Sequence, residues 1–244
     1  MIVAAAQSCS VAGAVAVNAT AHARLVDAAA GQGAVLAVFP ELSLTGYELD
    51  GIGDPGFDVP PDNPRIEPLR EACHARGVVA MAGAPVPVGG GRRVLGALLF
   101  DVDGSVTTYA KMYLHGAEIE RFVPGTRQRL LTVHGIEVGL AVCADFGDPA
   151  HAADAAALGA RMYAVGALVS RAGYRGDAER LAELAGTNRM PVVLANHGAP
   201  TGGWDPAGGS AIWDGQGRLL AQAPGEGEHL VVVDVAPRTD QAAG

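Results

Sequence analysis

The stretch Gly139-Leu-Ala-Val-Cys-Ala-Asp-Phe-Gly-Asp-Pro149 decides how the chain is read. Ile136 to Val142 is apolar and β-prone, the signature of a buried strand. The run ends at Cys143, and Gly147 and Pro149 then break the chain. From Pro149 to Leu158 the sequence is alanine-rich and helical. A cysteine at a strand-to-helix turn can be presented as a nucleophile, with backbone N–H groups of the following turn aimed at a developing anion. The same placement predicts a lowered thiol pKa, because a helix N-terminus favours thiolate. Free cysteine also serves as a small buried hydrophobe, so this stretch alone leaves a catalytic and a structural role both open.

Outward from that turn, β-runs and helices fill the chain. Towards the N-terminus, Ile2–Ala6 reads as a strand, and Asn18 or Thr20 as the cap of a helix reaching Ala30. Ala34–Phe39 is a strand stopped by Pro40, and residues 50–64 are a Gly/Pro/Asp loop. Pro64 opens a helix that stops at Gly77, before a strand over Val78–Ala82. Val94–Phe100 and Ser105–Tyr109 flank Asp101-Val-Asp-Gly104, a hairpin signal. Glycines 89–91 are followed by Arg92 and Arg93, with no helix start and no Lys-Ser/Thr, so a hairpin tip is expected there and not a phosphate loop.

Towards the C-terminus, Met162–Leu168 and Pro191–Asn196 read as strands and Arg175–Arg189 as a helix. A glycine-rich loop spans 198–209. Ser210–Trp213 pairs with Arg218–Ala221, and Leu230–Val235 closes the sheet. No internal repeat and no linker is visible, so a single domain over 1–237 is expected, with 238–244 as a loose tail. Near a dozen strands, four helices and several hairpins do not make a strict βαβ alternation. Two sheets packed face to face, with helices on the outer faces, use these elements better.

Composition narrows the function. The 244 residues are 49% hydrophobic and 18% charged, as a globular chain is. A net charge of −9 with scattered basic residues argues against a nucleic-acid partner. No apolar run is long enough to span a membrane. The apolar start has no basic residue before Arg24, so it is expected to be a first buried strand of a cytoplasmic protein rather than a signal peptide. Cys9, Cys73 and Cys143 form no C-x-x-C pair, and the seven histidines form no H-E-x-x-H. A disulfide framework, a metal site and a cofactor are therefore not expected.

Two further residues end β-runs. Glu41 follows the 34–39 run and Pro40; a carboxylate at the edge of a dry core has a raised pKa and suits general-base work. Lys111 follows the 105–109 run and is the single lysine, against sixteen arginines. A compact ammonium there can sit beside an oxyanion. If these strand ends meet at one edge of a sheet, base, cation and thiol complete a nucleophilic site.

At this point the chain resembles the nitrilase superfamily of carbon–nitrogen hydrolases. The resemblance lies in Phe39-Pro-Glu-Leu-Ser-Leu-Thr-Gly-Tyr47, in Tyr109-Ala-Lys-Met-Tyr-Leu114 continuing to Glu118 and Phe122-Val-Pro-Gly125, and in Gly139 to Asp145 with Ala157-Leu-Gly-Ala160. Flanking matches are Ala6-Gln7, Asn188, Ala195-Asn196, Gly209-Ser210 and Asp214-Gly-Gln-Gly217. It implies an α/β four-layer αββα sandwich with two mixed β-sheets, assembled as homodimers or higher homo-oligomers. It implies that Cys143 attacks the carbon, Glu41 is the base and Lys111 stabilises the tetrahedral intermediate. It further implies that Glu118 orients Lys111 and the substrate, and that the Ala144 N–H completes the oxyanion hole. The chain departs from the family pattern at Ala144, where an aromatic residue is frequent, at Gly147-Asp-Pro-Ala150 and at Leu184-Ala-Gly-Thr-Asn188.

The expected reaction is hydrolysis of a small amide to acid and ammonia, with an N-carbamoyl compound or a nitrile as alternative substrates. A Cys–His hydrolase using His151 or His197 is the rival mechanism, although His151 reads as an exposed helix residue and His197 as a loop residue. An inert subunit that binds a small amide is the non-enzymatic reading. Arg171 and Arg175, four apart in the loop after the 162–168 strand, are candidates to hold a substrate carboxylate; the plainer reading pairs Arg175 with Asp177 or Glu179.

Overall fold

A computed structural model describes residues 1–238. Strands β1 (Ile2–Gln7), β2 (Leu36–Val38), β3 (Val79–Gly89), β4 (Arg92–Phe100), β5 (Val106–Ala110) and β12 (His229–Asp234) form one sheet, in the order β12-β1-β2-β3-β4-β5. Strands β6 (Leu130–Val133), β7 (Ile136–Val142), β8 (Met162–Ala167), β9 (Val192–Asn196), β10 (Ala211–Trp213) and β11 (Leu219–Gln222) form the other, in the order β6-β7-β8-β9-β10-β11. Each sheet has three parallel strands, one antiparallel neighbour on one side and two on the other. The two sheets thus share one pairing pattern, although β12 of the first comes from the C-terminal end of the chain.

Strand alternation sorts the side chains into layers. Val3, Ala5, Leu36 and Val38 of the first sheet face Val138, Leu140, Ala164 and Val193 of the second in the central core. On the outer face of the first sheet, Ala4, Ala6, Ala37 and Ala80 receive helices α1 (Val15–Ala30) and α2 (Glu67–Arg76). On the outer face of the second, Ala141, Val165 and Leu194 receive α3 (Pro149–Ala157) and α4 (Tyr174–Asn188). This is the expected αββα sandwich. Small residues bring α3 close: a Cβ on Gly139 would lie 2.8 Å from that of Ala155.

Several local expectations are corrected. Helix α1 starts at Val15, so Asn18 is not its cap; the Asn18 side chain instead bonds Val11 N, Val11 O and Leu44 O, fastening the preceding loop to the helix. Strand β3 runs well past Ala82 despite Pro85 and Pro87. It pairs with β2 only over Val79–Met81, and its prolines pair on the β4 side, leaving their missing N–H groups on the edge that no strand covers. Strand β6 was not read from the sequence. It joins β7 through His134-Gly135, both with positive φ, a two-residue hairpin turn. The expected tail 238–244 lies outside the described residues except for Arg238, which is tied down: its N–H donates to Arg161 O at 2.9 Å. No helix among the described residues is long and apolar enough to cross a membrane.

Candidate active site

Glu41 and Lys111 follow β2 and β5 of the first sheet, while Cys143 follows β7 of the second. The three do not share one sheet edge, as the sequence suggested; they meet across the seam between two sheets. Glu41 comes off β2 through a tight turn with Leu42 at φ 50°. Two glycines make room for that turn. A Cβ on Gly83 would lie 2.1 Å from Leu42 N, and one on Gly166 would lie 2.5 Å from Phe39 O.

Lys111 and Glu118 are buried with Glu41. Lys111 Nζ donates to Glu41 Oε1 at 2.7 Å and to both oxygens of Glu118 at 2.8 Å. Glu118 is set by a short helical turn over Gly116–Glu120 and also accepts from His115 N–H at 2.9 Å and from the Tyr47 hydroxyl at 2.6 Å. Glu41 Oε2 has no partner among the described nitrogen and oxygen atoms. Its carboxyl lies beside the Cys143 thiol, which helps to stabilise the charged form.

The electrostatics follow from burial. Desolvation raises the Glu41 pKa to about 7, against the pull of the Lys111 charge. Burial alone would depress Lys111, but Glu41, Cys143 and Glu118 more than offset it, so the side chain stays an ammonium. The expected lowering of the thiol pKa is reversed. Burial, then the Glu41 charge, push Cys143 up, and Lys111 recovers only part of that. A 3-10 turn over Cys143–Gly147 lies between the sulfur and α3, which begins at Pro149, so the expected helix N-terminus is not at the thiol to oppose that burial. The thiol therefore rests protonated beside a carboxylate able to take its proton.

Cys143 stands at φ 44°, a strained conformation for a side-chain-bearing residue, and remains partly accessible while Glu41 and Lys111 are sealed. Its Sγ donates to Leu168 O at 3.6 Å. Ala144 lies in the first turn of the 3-10 helix, where N–H groups lack intrahelical acceptors. Asp145 ties the nucleophile's turn to the lysine's. Its Oδ2 accepts from Val142 N–H at 2.9 Å and Tyr109 O–H at 2.8 Å, and its Oδ1 from the N–H groups of Met112 and Tyr113, both at 2.9 Å. Asn196, at the end of β9, accepts from Val169 N–H at 2.8 Å and donates to Val169 O at 3.0 Å, fixing the residue next to Leu168. Tyr47, Asp145 and Asn196 stand inside the motifs read from the sequence, but nothing in the sequence marked what they hold.

His151 is buried, not exposed as expected. Its ring nitrogens meet Tyr163 O–H at 2.7 Å and Tyr109 O–H at 2.9 Å. His197 is also buried, with Nε2 on Glu41 O at 2.7 Å. Neither forms a hydrogen bond with Cys143 among the described residues, so a Cys–His pair finds no geometry here. Arg171 pairs with Asp205 at 3.1 Å and with Glu226, and Arg175 with Glu179 at 3.0 Å. The two guanidiniums do not converge on a common anion. No cluster of three His, Cys, Asp or Glu side chains among the described residues is placed to hold a metal ion.

The chain is similar to known proteins along nearly its whole length. The sequence model of the family described as carbon-nitrogen hydrolase matches residues 2–243. An (R)-stereoselective amidase of a Pseudomonas species is 30% identical over 204 residues, covering 82% of this chain and 73% of that protein. A hydrolase of Mycobacterium tuberculosis is 29% identical, covering 88% and 84%. The solved NitN amidase from Nesterenkonia sp. AN1 superposes with a TM-score of 0.88 at 29% identity, covering 97% of this chain and 93% of that one. A variant of the Nesterenkonia enzyme carries acrylamide added at its active-site cysteine.

Proposed function

The chain belongs to the carbon–nitrogen hydrolase family, and from that premise we propose that it hydrolyses a small amide to a carboxylic acid and ammonia through a thioester on Cys143. The observation that carries this is the division of labour on Glu41: Oε1 is held by Lys111, and Oε2 has no nitrogen or oxygen partner beside the thiol. In the first step the Cys143 sulfur bonds to the amide carbon and its proton passes to Glu41. The negative charge that develops on the carbonyl oxygen is met by the Lys111 ammonium and the Ala144 N–H. Collapse breaks the C–N bond, and Glu41 returns the proton to the departing nitrogen. Water then attacks the thioester with Glu41 again as base, and the thiol is released with the acid.

Support for an amide substrate comes from the Pseudomonas and Nesterenkonia amidases. The test is ammonia release over a panel of small amides, N-carbamoyl compounds and nitriles, with intact-protein mass spectrometry for the acyl adduct. Amides are expected to turn over and acylate Cys143, and Cys143→Ala to abolish both. Preferential use of carbamoyl compounds or nitriles would reassign the substrate, and substantial turnover by Cys143→Ala would overturn the mechanism. Amide binding with no turnover of any class would favour the inert-subunit reading.

The protein is further proposed to act as at least a homodimer. Helices α3 and α4 border a cleft of about 480 Å³ lined by Pro149, Ala150, Ala153 and Leu184, with Arg180 and Glu183 beside it. Such a small-residue face, carrying one residue of each charge, suits a two-fold contact. Light scattering at micromolar concentration is expected to report a dimer or larger; monomer alone would reject it.

A further inference from the structure

We infer that His197 is a positioning residue for the reaction: it holds the main chain of Glu41 and so aims the carboxylate between Lys111 and Cys143. The inference rests on Glu41 being the general base.

His197 Nε2 lies 2.7 Å from the Glu41 carbonyl oxygen. A carbonyl only accepts, so Nε2 carries the proton. The ring is fully buried, and Nδ1 has no hydrogen-bond partner among the described residues. The ring therefore has one polar tie, and that tie ends on the residue that takes the thiol's proton. Burial lowers the His197 pKa to about 4, so the ring stays neutral at ordinary pH and keeps a single tautomer. Of the other titratable groups about it, Glu48 favours its charge, and His22, itself lowered to about 3 by burial, is neutral. Lys111, Glu118 and Cys143 stand about the Glu41 carboxyl.

Gly83 and Gly166 make space for the turn that carries Glu41, and the Gly83 main chain ties the flanks of that turn, its N–H donating to Pro40 O at 3.3 Å and its carbonyl accepting from Leu44 N–H at 3.0 Å; the His197 tie falls between them, on Glu41 itself. His197 is placed by its neighbour, since its own N–H donates to Asn196 Oδ1 at 2.9 Å, and the same oxygen accepts from Val169 N–H. The end of β9 thus braces both sides of the site: Asn196 steadies the segment that touches the Cys143 sulfur, and His197 steadies the base.

The test is the rate at which iodoacetamide alkylates Cys143 near neutral pH, followed by peptide mass spectrometry, with folding checked by circular dichroism and thermal melting. This readout needs no knowledge of the natural substrate. Glu41→Gln is expected to slow alkylation about a hundredfold. His197→Leu is expected to slow it about tenfold, because the carboxylate loses its placement and not its chemistry. His197→Gln carries a donor where Nε2 stood and is expected to return to within about threefold of the native rate, whereas His197→Asn, whose donor sits nearer the main chain, stays slow. A folded His197→Leu protein with the native rate overturns the inference. If His197→Leu does not fold, equal rates for the Gln and Asn variants overturn it. If Glu41→Gln itself alkylates at the native rate, the general-base reading fails first.

Discussion

The Tyr47 hydroxyl donates to Oε1 of Glu118 at 2.6 Å, and both side chains are buried. Two carboxylates, Glu41 and Glu118, share the single ammonium of Lys111, so the cluster carries an excess of negative charge. Burial and these two carboxylates push the Tyr47 pKa well up, keeping it a neutral donor that partly satisfies the excess. Tyr47→Phe is expected to lower kcat about tenfold or more with KM little changed, since a hydrogen bond to a charged acceptor is lost from the group that orients Lys111. Steady-state kinetics on the best amide measures this. An unchanged kcat in folded Tyr47→Phe would remove Glu118 orientation from the mechanism.

The pH profile follows from Glu41. In the proposed mechanism Glu41 must be ionised to accept the thiol's proton, and its pKa is raised to about 7. Activity is expected to be full above that pH and to fall as pH drops through it, roughly tenfold per unit below the limb. Lys111 is shifted upward and stays charged across this range, so it adds no limb. A kcat/KM profile flat from about pH 5 to 8 would show that Glu41 is not the titrating base.

Stability has an acid limb of separate origin. His22 is buried and stacked on Phe39 at 4.1 Å, and burial, then the neighbouring His197, lower its pKa to about 3. Between its ordinary value and that depressed one, the unfolded chain binds a proton that the folded chain does not. Stability is therefore present above the ordinary pKa and is lost as pH falls below it, by about 2 kcal/mol between pH 6.5 and 5. The lowered His197 adds to this limb and the raised Glu41 opposes it, in the native protein and the variant alike, so thermal melts of His22→Phe are expected to show a Tm that falls less over that window than the native Tm does. An equal slope in the variant would assign the limb to other groups.

Selectivity for charged substrates is expected to be weak. Arg171 is already matched by Asp205 and Glu226, and exposed Arg175 by Glu179. A substrate carboxylate would have to displace the chain's own acids for a gain that solvent screens. Arg171→Ala is therefore expected to leave KM for a carboxylated amide and for its neutral analogue within about threefold of native. A selective rise in KM for the carboxylated amide would restore the two arginines as a clamp.

Much of this was legible because punctuation marks strand ends. Pro40 stops one apolar run, Gly147 and Pro149 follow another, and the single lysine ends a third, so Glu41, Cys143 and Lys111 could be picked out. What was not legible depends on partners far away in the chain. Glu41 and Lys111 are 70 residues apart, and the sequence does not say that their sheet faces the sheet of Cys143. The common pairing pattern of the two sheets leaves no trace as a sequence repeat, because backbone hydrogen bonds carry it and many side chains satisfy them. His151 looked like a surface residue because α3 is short and polar signals are local. Its burial is settled by Tyr109 and Tyr163, which come from different sheets. The thiol's raised pKa is not legible because it comes from burial and from the charge of Glu41, which lies about a hundred residues away in the chain.

The seam location of the site has a consequence for how the protein reaches its active form. Glu41 and Lys111 belong to the N-terminal half and Cys143 to the C-terminal half, so neither half alone can hold the complete set. Until the sheets dock, Cys143 is an ordinary solvated thiol; afterwards its proton is governed by Glu41 and Lys111. Pulsed alkylation of Cys143 during refolding is then a clock for docking. Secondary structure that recovers before the thiol's rate changes would mark an interval in which both sheets exist and the catalyst does not.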